Sequence, residues 1–193
     1  MLATKLSHNS RSFLLRLCAV LLMLGVVLTL ADGAARADQF KENEVKAVFL
    51  YNLTNFISWP QEVFTSPQSE FRLVIFGQDP FGSVLDQIVQ GEKAMGTHPI
   101  RIQRLKAIEE IEACHLLYVS AAAQHQWTRI LESLNGRAVV TVSDGPRFAQ
   151  NGGMINLVRK AQRINIEINA DLMKQNGFSV SAKLLKLSAV IEN

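Results

Sequence analysis

Residues 73–83, LVIFGQDPFGS, set a run of strand-forming apolar residues before Gly77, four further residues, Gly82 and Ser83. A glycine-bearing turn between a strand and a helix is where α/β proteins hold phosphates on backbone N–H groups. The G-x-x-x-x-G spacing matches a P-loop, but that motif continues with a lysine that reaches the phosphates and then Ser or Thr. Here Ser83 and Val84 follow, so the lysine is absent. The G-x-G-x-x-G order of dinucleotide folds is absent too, and Asp79 puts a carboxylate where an anion would be repelled. The stretch is therefore expected to be a corner of the scaffold, with its glycines serving backbone geometry.

Nucleophilic and metal chemistry find no better footing. Ser120 ends an apolar run and His125 follows five residues later, which puts the two on different helix faces. The glycines of a G-x-S-x-G elbow are missing, and Ser120 is expected to cap the helix that follows it. His98, His115 and His125 are far apart in sequence. Cys114 and His115 are neighbours on a predicted strand, so they point to opposite faces and do not share a metal. Glu109, Glu110 and Glu112 read as a solvated helix face. No catalytic residue, metal ligand or cofactor site is expected.

The elements that must position any site begin after the N-terminus is accounted for. Lys5, Arg11 and Arg16 precede the apolar stretch LCAVLLMLGVVLTLA, and Ala35-Arg36-Ala37 follows. A basic start, an apolar middle and an A-x-A end make a secretory signal peptide, expected to be cleaved after Ala37. Of 193 residues, removing 37 leaves 156, enough for one domain with its own core. The removed part holds four basic side chains (Lys5, Arg11, Arg16, Arg36) and one acid (Asp32). The chain's 20 basic and 17 acidic residues thus become 16 of each. The sequence pI near 9.0 belongs to the targeting segment, and no basic stripe argues for nucleic acid. Cys18 leaves with the signal, so Cys114 has no intrachain partner and is expected to be a buried, inert thiol.

Residues 43–59, NEVKAVFLYNLTNFISW, place Val45, Val48, Phe49, Leu53, Phe56 and Ile57 at helical spacing, with Asn43 as N-cap and Pro60 as stop. Strands are predicted at 71–76, 98–105, 115–119 and 138–142. They alternate with helices in PFGSVLDQIVQ, AIEEIEA and AAAQHQWTRILESL. MINLVRK and RINIEIN, separated by Ala161-Gln162, form a β-hairpin. The tail carries two helical patterns split at a C-cap, Asn176-Gly177. The fold class is α/β: a Rossmann-like three-layer fold with a mostly parallel sheet flanked by helices and a late antiparallel β-hairpin.

With chemistry excluded, apolar groups in exposed-looking places become the candidates for contact with a partner. Phe148 sits in a turn-rich loop, SDGPRFAQNGG. In RINIEIN the isoleucines share one face and Glu167 is the lone charge on the other. Phe148, Ile155, Glu167 and Met173 are the predicted partner-binding residues, whereas Trp59 is expected to pack in the core.

Two stretches resemble a known family. VKAVFLYNLTNFISWP (45–60) is similar to the opening helix of the YfiR-like (YfiR/HmsC-type) periplasmic regulators, a K-A-x-F-L-Y-N pattern followed by an aromatic and W-P. Lys46, Ala47, Phe49, Leu50, Tyr51, Asn52, Phe56, Trp59 and Pro60 fit it. GGMINLV, IEIN and SAKLLKL resemble the family's closing part, and fall in the right order. The resemblance implies a small periplasmic α/β regulator in a Gram-negative bacterium. Such a regulator binds and represses the periplasmic sensor region of an inner-membrane diguanylate cyclase, lowering cyclic di-GMP and restraining biofilm formation. Some relatives carry a cysteine pair around the Gly-Gly-Met loop, where this chain has Ala149 and Asn156. A homodimer stays open as a further partner, and the alternative reading of the function is a periplasmic sensor domain that binds a small-molecule ligand. The ligand's site would lie at the carboxyl ends of the parallel strands, in the loops after Phe76 and Val119.

Overall fold

The amphipathic run after residue 38 folds as a helix, α1, through residue 56, in a computed structural model that describes residues 38–134 and 136–191. Residues 43–193 make one unit and residues 1–42 another. Of the latter, the described residues 38–42 are helical, and the expected export signal lies outside the described residues. The chain continues through β1 (Ile57–Ser58), β2 (Phe71–Phe76), α2 (Ser83–Val89), β3 (Lys93–Ala94), β4 (His98–Leu105) and β5 (Leu116–Val119). Then come α3 (Trp127–Leu134), β6 (Val140–Ser143), β7 (Ile155–Lys160), β8 (Arg163–Asn169), α4 (Ala170–Gln175), β9 (Ser179–Val180), α5 (Ala182–Leu187) and β10 (Ser188–Ile191). Among the described residues, no helix is long and apolar enough to cross a membrane.

The main sheet runs β10-β8-β7-β6-β5-β2-β4-β3, and β1 pairs with β9 in a separate two-stranded ladder. Strands β4, β2, β5, β6 and β7 are parallel, β8 turns back antiparallel to β7, and β10 joins parallel to β8. This is the expected α/β class with its late hairpin. Each central strand is buried on both faces, as continuous apolar runs such as LVIF require. One face, with Leu73, Ile75, Leu116, Tyr118 and Val142, packs under α1, α2, α4 and α5. The other, with Val74, Phe76, Leu117 and Val119, packs under α3.

Several elements differ from the sequence expectation, each for a tertiary reason. Helix α1 passes through Asn43, so that residue is not its cap, and it ends at Phe56 because Ile57 and Ser58 pair with Val180 and Ser179. Its buried stripe is Ala47, Leu50 and Leu53, while Val45 and Val48 face solvent. Lys46 turns inward to an ion pair and sets that rotation. AIEEIEA makes one 3-10 turn (Ile108–Glu110), and Ala121–Gln126 is 3-10 before α3 begins. The second helical pattern of the tail breaks at Ser188, where the open edge of β8 recruits β10. At Asn176-Gly177 the C-cap is as expected: Phe178 N–H donates to Met173 O at 3.0 Å and Gly177 N–H to Lys174 O at 3.0 Å, with both apolar side chains in the core.

Candidate functional site

The chain steps from β2 to β4 on one side and to β5 on the other, so the strand order reverses between β2 and β5. The crevice at the carboxyl ends of these strands is where an open α/β sheet holds ligands. Here the protein's own side chains fill it. Gln78 N–H donates to Ser120 Oγ at 3.1 Å, so Ser120 caps across to the neighbouring loop and not onto its own helix. A Cβ on Gly77, whose φ is +90°, would lie 2.6 Å from Ser120 Oγ and 2.7 Å from Ala123 Cβ. The loops after Phe76 and Val119 therefore touch at a point that admits glycine alone. Beside them Ala121 N–H donates to Asp144 Oδ1 at 3.0 Å, and Asp144 Oδ2 accepts from Lys46 Nζ at 2.8 Å. The backbone donor that could hold an anion already holds a carboxylate, and a buried ammonium neutralises it.

LVIFGQDPFGS is pinned in the same way. Phe81 N–H donates to Asp79 Oδ1, while Arg104 on β4 reaches Asp79 Oδ2 at 2.6 Å, Gly82 O at 3.0 Å and both oxygens of Asp86. Asp79, which spoke against phosphate binding, is the anchor of a guanidinium staple. The corner expectation holds on this geometry.

At the amino end of the sheet, Phe64 stacks between His98 and His115, with ring centroids 4.0 and 4.6 Å away. His115 Nδ1 accepts from Arg72 N–H at 2.8 Å and its Nε2 donates to Val63 O at 3.3 Å, which fixes the neutral tautomer. A cavity of about 280 Å³ opens there between Thr65, Ser69, Arg72 and His115. A second, of about 660 Å³, lies between α2 and the outer edge of β4, beside Gln90, Lys93 and Ile102. Among the described residues no group of histidine, cysteine and carboxylate side chains could hold a metal ion. Cys114 is buried and its thiol pushed up to about 12 by burial, which makes it an inert packing residue.

Burial lowers the proton affinity of His115, against the opposing hydrogen bond to Val63 O; the nearby charges of Arg72 and His98 lower it further. A histidine held below its unfolded value binds fewer protons when native, so its contribution is whole above about pH 6.5 and is lost as pH falls towards the native value. Wild-type stability is expected to drop between pH 7 and pH 5. His115→Gln, which can keep both hydrogen bonds, should flatten that drop in urea titrations; equal slopes would refute the assignment.

The predicted partner-binding residues fall on and under the β7–β8 hairpin. Phe148, Ile155 and Met173 are fully buried. Ile155 and Met173 belong to the core under α1, and Phe148 packs on Trp127 at 4.6 Å in the opposite core. Glu167 is 8 % exposed at the rim, where its carboxylate accepts from Lys160 Nζ at 3.0 Å and Gln150 Nε2 at 3.3 Å. Across the ladder, Ser143, Asn156, Glu167 and Ala189 stand in register. The sequence reading missed Lys46, Asp144, Gln150 and Asn156. Lys46 carried no local signal, because its partner is distant in sequence, whereas Asp144 directly follows a strand at its carboxyl end.

The family model described as YfiR/HmsC-like matches residues 43–189. That span covers α1 from Asn43 to the first residues of β10, and the chain belongs to this family.

Proposed function

We propose that this YfiR/HmsC-like chain is an exported periplasmic regulator that binds and represses the periplasmic sensor region of an inner-membrane diguanylate cyclase. By doing so it lowers cyclic di-GMP and restrains biofilm formation. Membership of the family across residues 43–189 carries this reading. The signal-like N-terminus supports it, and so does a strand-end crevice occupied by Lys46, Asp144 and Ser120. Repression of this kind is a population shift: the regulator binds the inactive cyclase more tightly than the active one.

The contact we assign is the hairpin surface around Glu167, with Phe148 in the core on one side of the sheet and Ile155 and Met173 in the core on the other. Glu167→Lys sets an ammonium beside Lys160 and removes the acceptor of Gln150. It should cut recovery of the cyclase from solubilised inner membranes at least about tenfold, the effect of roughly 1.4 kcal/mol. Glu167→Gln keeps an acceptor and should retain most of the recovery. Unchanged capture by Glu167→Lys would remove Glu167 from the contact. Failure of the wild type to recover any membrane protein would remove the regulatory reading.

A further inference from the structure

Buried polar atoms without partners gather around the loop from Asp144 to Gly153. Asn156, fully buried in β7 just beyond the loop, has neither its Nδ2 nor its Oδ1 hydrogen-bonded among the described residues. Gln150 Oε1, within the loop, and Gln124 Oε1, packed against Gly145, are also buried and unpartnered. Native interiors keep such groups rare, and each raises the free energy of the state that buries it. A half-satisfied network is a weak seal.

Side-chain hydrogen bonds tie the loop to the rest of the fold: Gln124 Nε2 donates to Pro146 O at 2.8 Å, Trp127 Nε1 to Asn151 O at 3.1 Å, Gln150 Nε2 to Glu167 Oε2 at 3.3 Å and Asn169 Nδ2 to Ala149 O at 3.4 Å. The apolar anchor is Phe148, whose ring lies so close to Gly153 that any side chain there would collide with it. Arg147, at φ +56°, is in the left-handed region that disfavours an L side chain. One end is fixed by Lys46–Asp144 and the other by Met154 N–H donating to Thr141 Oγ1 at 3.1 Å.

We propose that residues 145–153 are a cover that opens as a unit between these two anchors. Opening would bring the Phe148 ring and the Asn156–Glu167 row to the surface, and that open form is the one a partner engages. This rests on the assignment of the hairpin as the regulatory contact. It also supplies a route by which Phe148, buried when the cover is shut, reaches a partner. Opening loses the Phe148 packing but hydrates the orphaned amides, so the shut form is the resting state and the orphaned amides lower the cost of leaving it. A partner that binds the open form shifts the balance towards it.

Two variants push the balance in opposite directions. Asn156→Leu replaces the orphaned amide by an apolar group of similar size and favours the shut form. Gly153→Ala drives a methyl group into the Phe148 ring and favours the open one. In NMR-detected hydrogen exchange of the protein purified after expression of the full chain, the Trp127 indole N–H and the Gly145 N–H, which donate across the cover's boundary to Asn151 O and Ser143 Oγ, should exchange faster than the N–H groups of β6 in the wild type. Asn156→Leu should slow these two about tenfold and Gly153→Ala should speed them, while β6 amides stay protected. Capture of a membrane partner should fall with the first variant and rise with the second. Loop exchange no faster than β6, or no slowing in Asn156→Leu, overturns the cover. Equal capture by both variants overturns its role in partner binding. Exchange as expected with no partner captured by any variant, wild type included, overturns the regulatory reading and leaves the cover standing.

Discussion

Replacing Lys46 by methionine will cost about 3–5 kcal/mol of folding stability, seen as a lower urea midpoint with an unchanged m-value. The ammonium and carboxylate of the pair are 5 % and 14 % exposed, so neither is well screened by water. Methionine fills much of the lysine volume, which confines the loss to the charge. Asp144 would keep the Ala121 N–H but lose its cation in a low-dielectric position. Removing one member of a buried pair is far costlier than removing both. Lys46→Met combined with Asp144→Ala should therefore recover to within about 1–2 kcal/mol of wild type. A single variant as stable as wild type, or a double variant as unstable as the sum of its parts, would refute the pair's role.

That pair also shows why part of the site escaped the sequence. A lysine in an amphipathic helix ordinarily marks the solvated face, and the partner that turns Lys46 inward lies 98 residues away. Local patterns did locate what local chemistry decides. FRLVIF and LLYV are strands because apolar, β-branched runs bounded by turns suit a doubly covered sheet. The Ala161-Gln162 connection makes its hairpin with Ala161 at φ +54°. The two-residue strands β1, β3 and β9 left no trace in periodicity, because pairing across the fold creates them. SAVI continued the helical spacing of AKLLKL and became β10 because β8 offered a free edge. The same limit applies to Phe148, Ile155 and Met173. An aromatic in a Gly/Pro-flanked loop looks exposed until the loop is seen to fold it against Trp127.

Trp59→Ala is expected to lower the melting temperature by on the order of 10 °C, from a loss of about 3–5 kcal/mol. The ring is 6 % exposed and meets Phe71 edge-on at 4.9 Å and Phe178 at 6.1 Å, while Nε1 donates to His115 O at 2.9 Å. Through these contacts one side chain ties the end of α1 to the start of β2, the entrance of β5 and the segment after α4. Alanine would leave a cavity among rigid aromatic neighbours, which cannot collapse to fill it. Trp59→Phe separates packing from hydrogen bonding. It keeps a ring against Phe71 and loses the N–H, but His115 O still accepts from Val140 N–H at 2.9 Å, so no carbonyl is orphaned. Its cost should therefore stay near 1–2 kcal/mol. Equal losses for Ala and Phe would mean that the indole N–H dominates, and that the W-P signature serves a hydrogen bond. A small loss for both would mean that the segments it joins are held by other contacts.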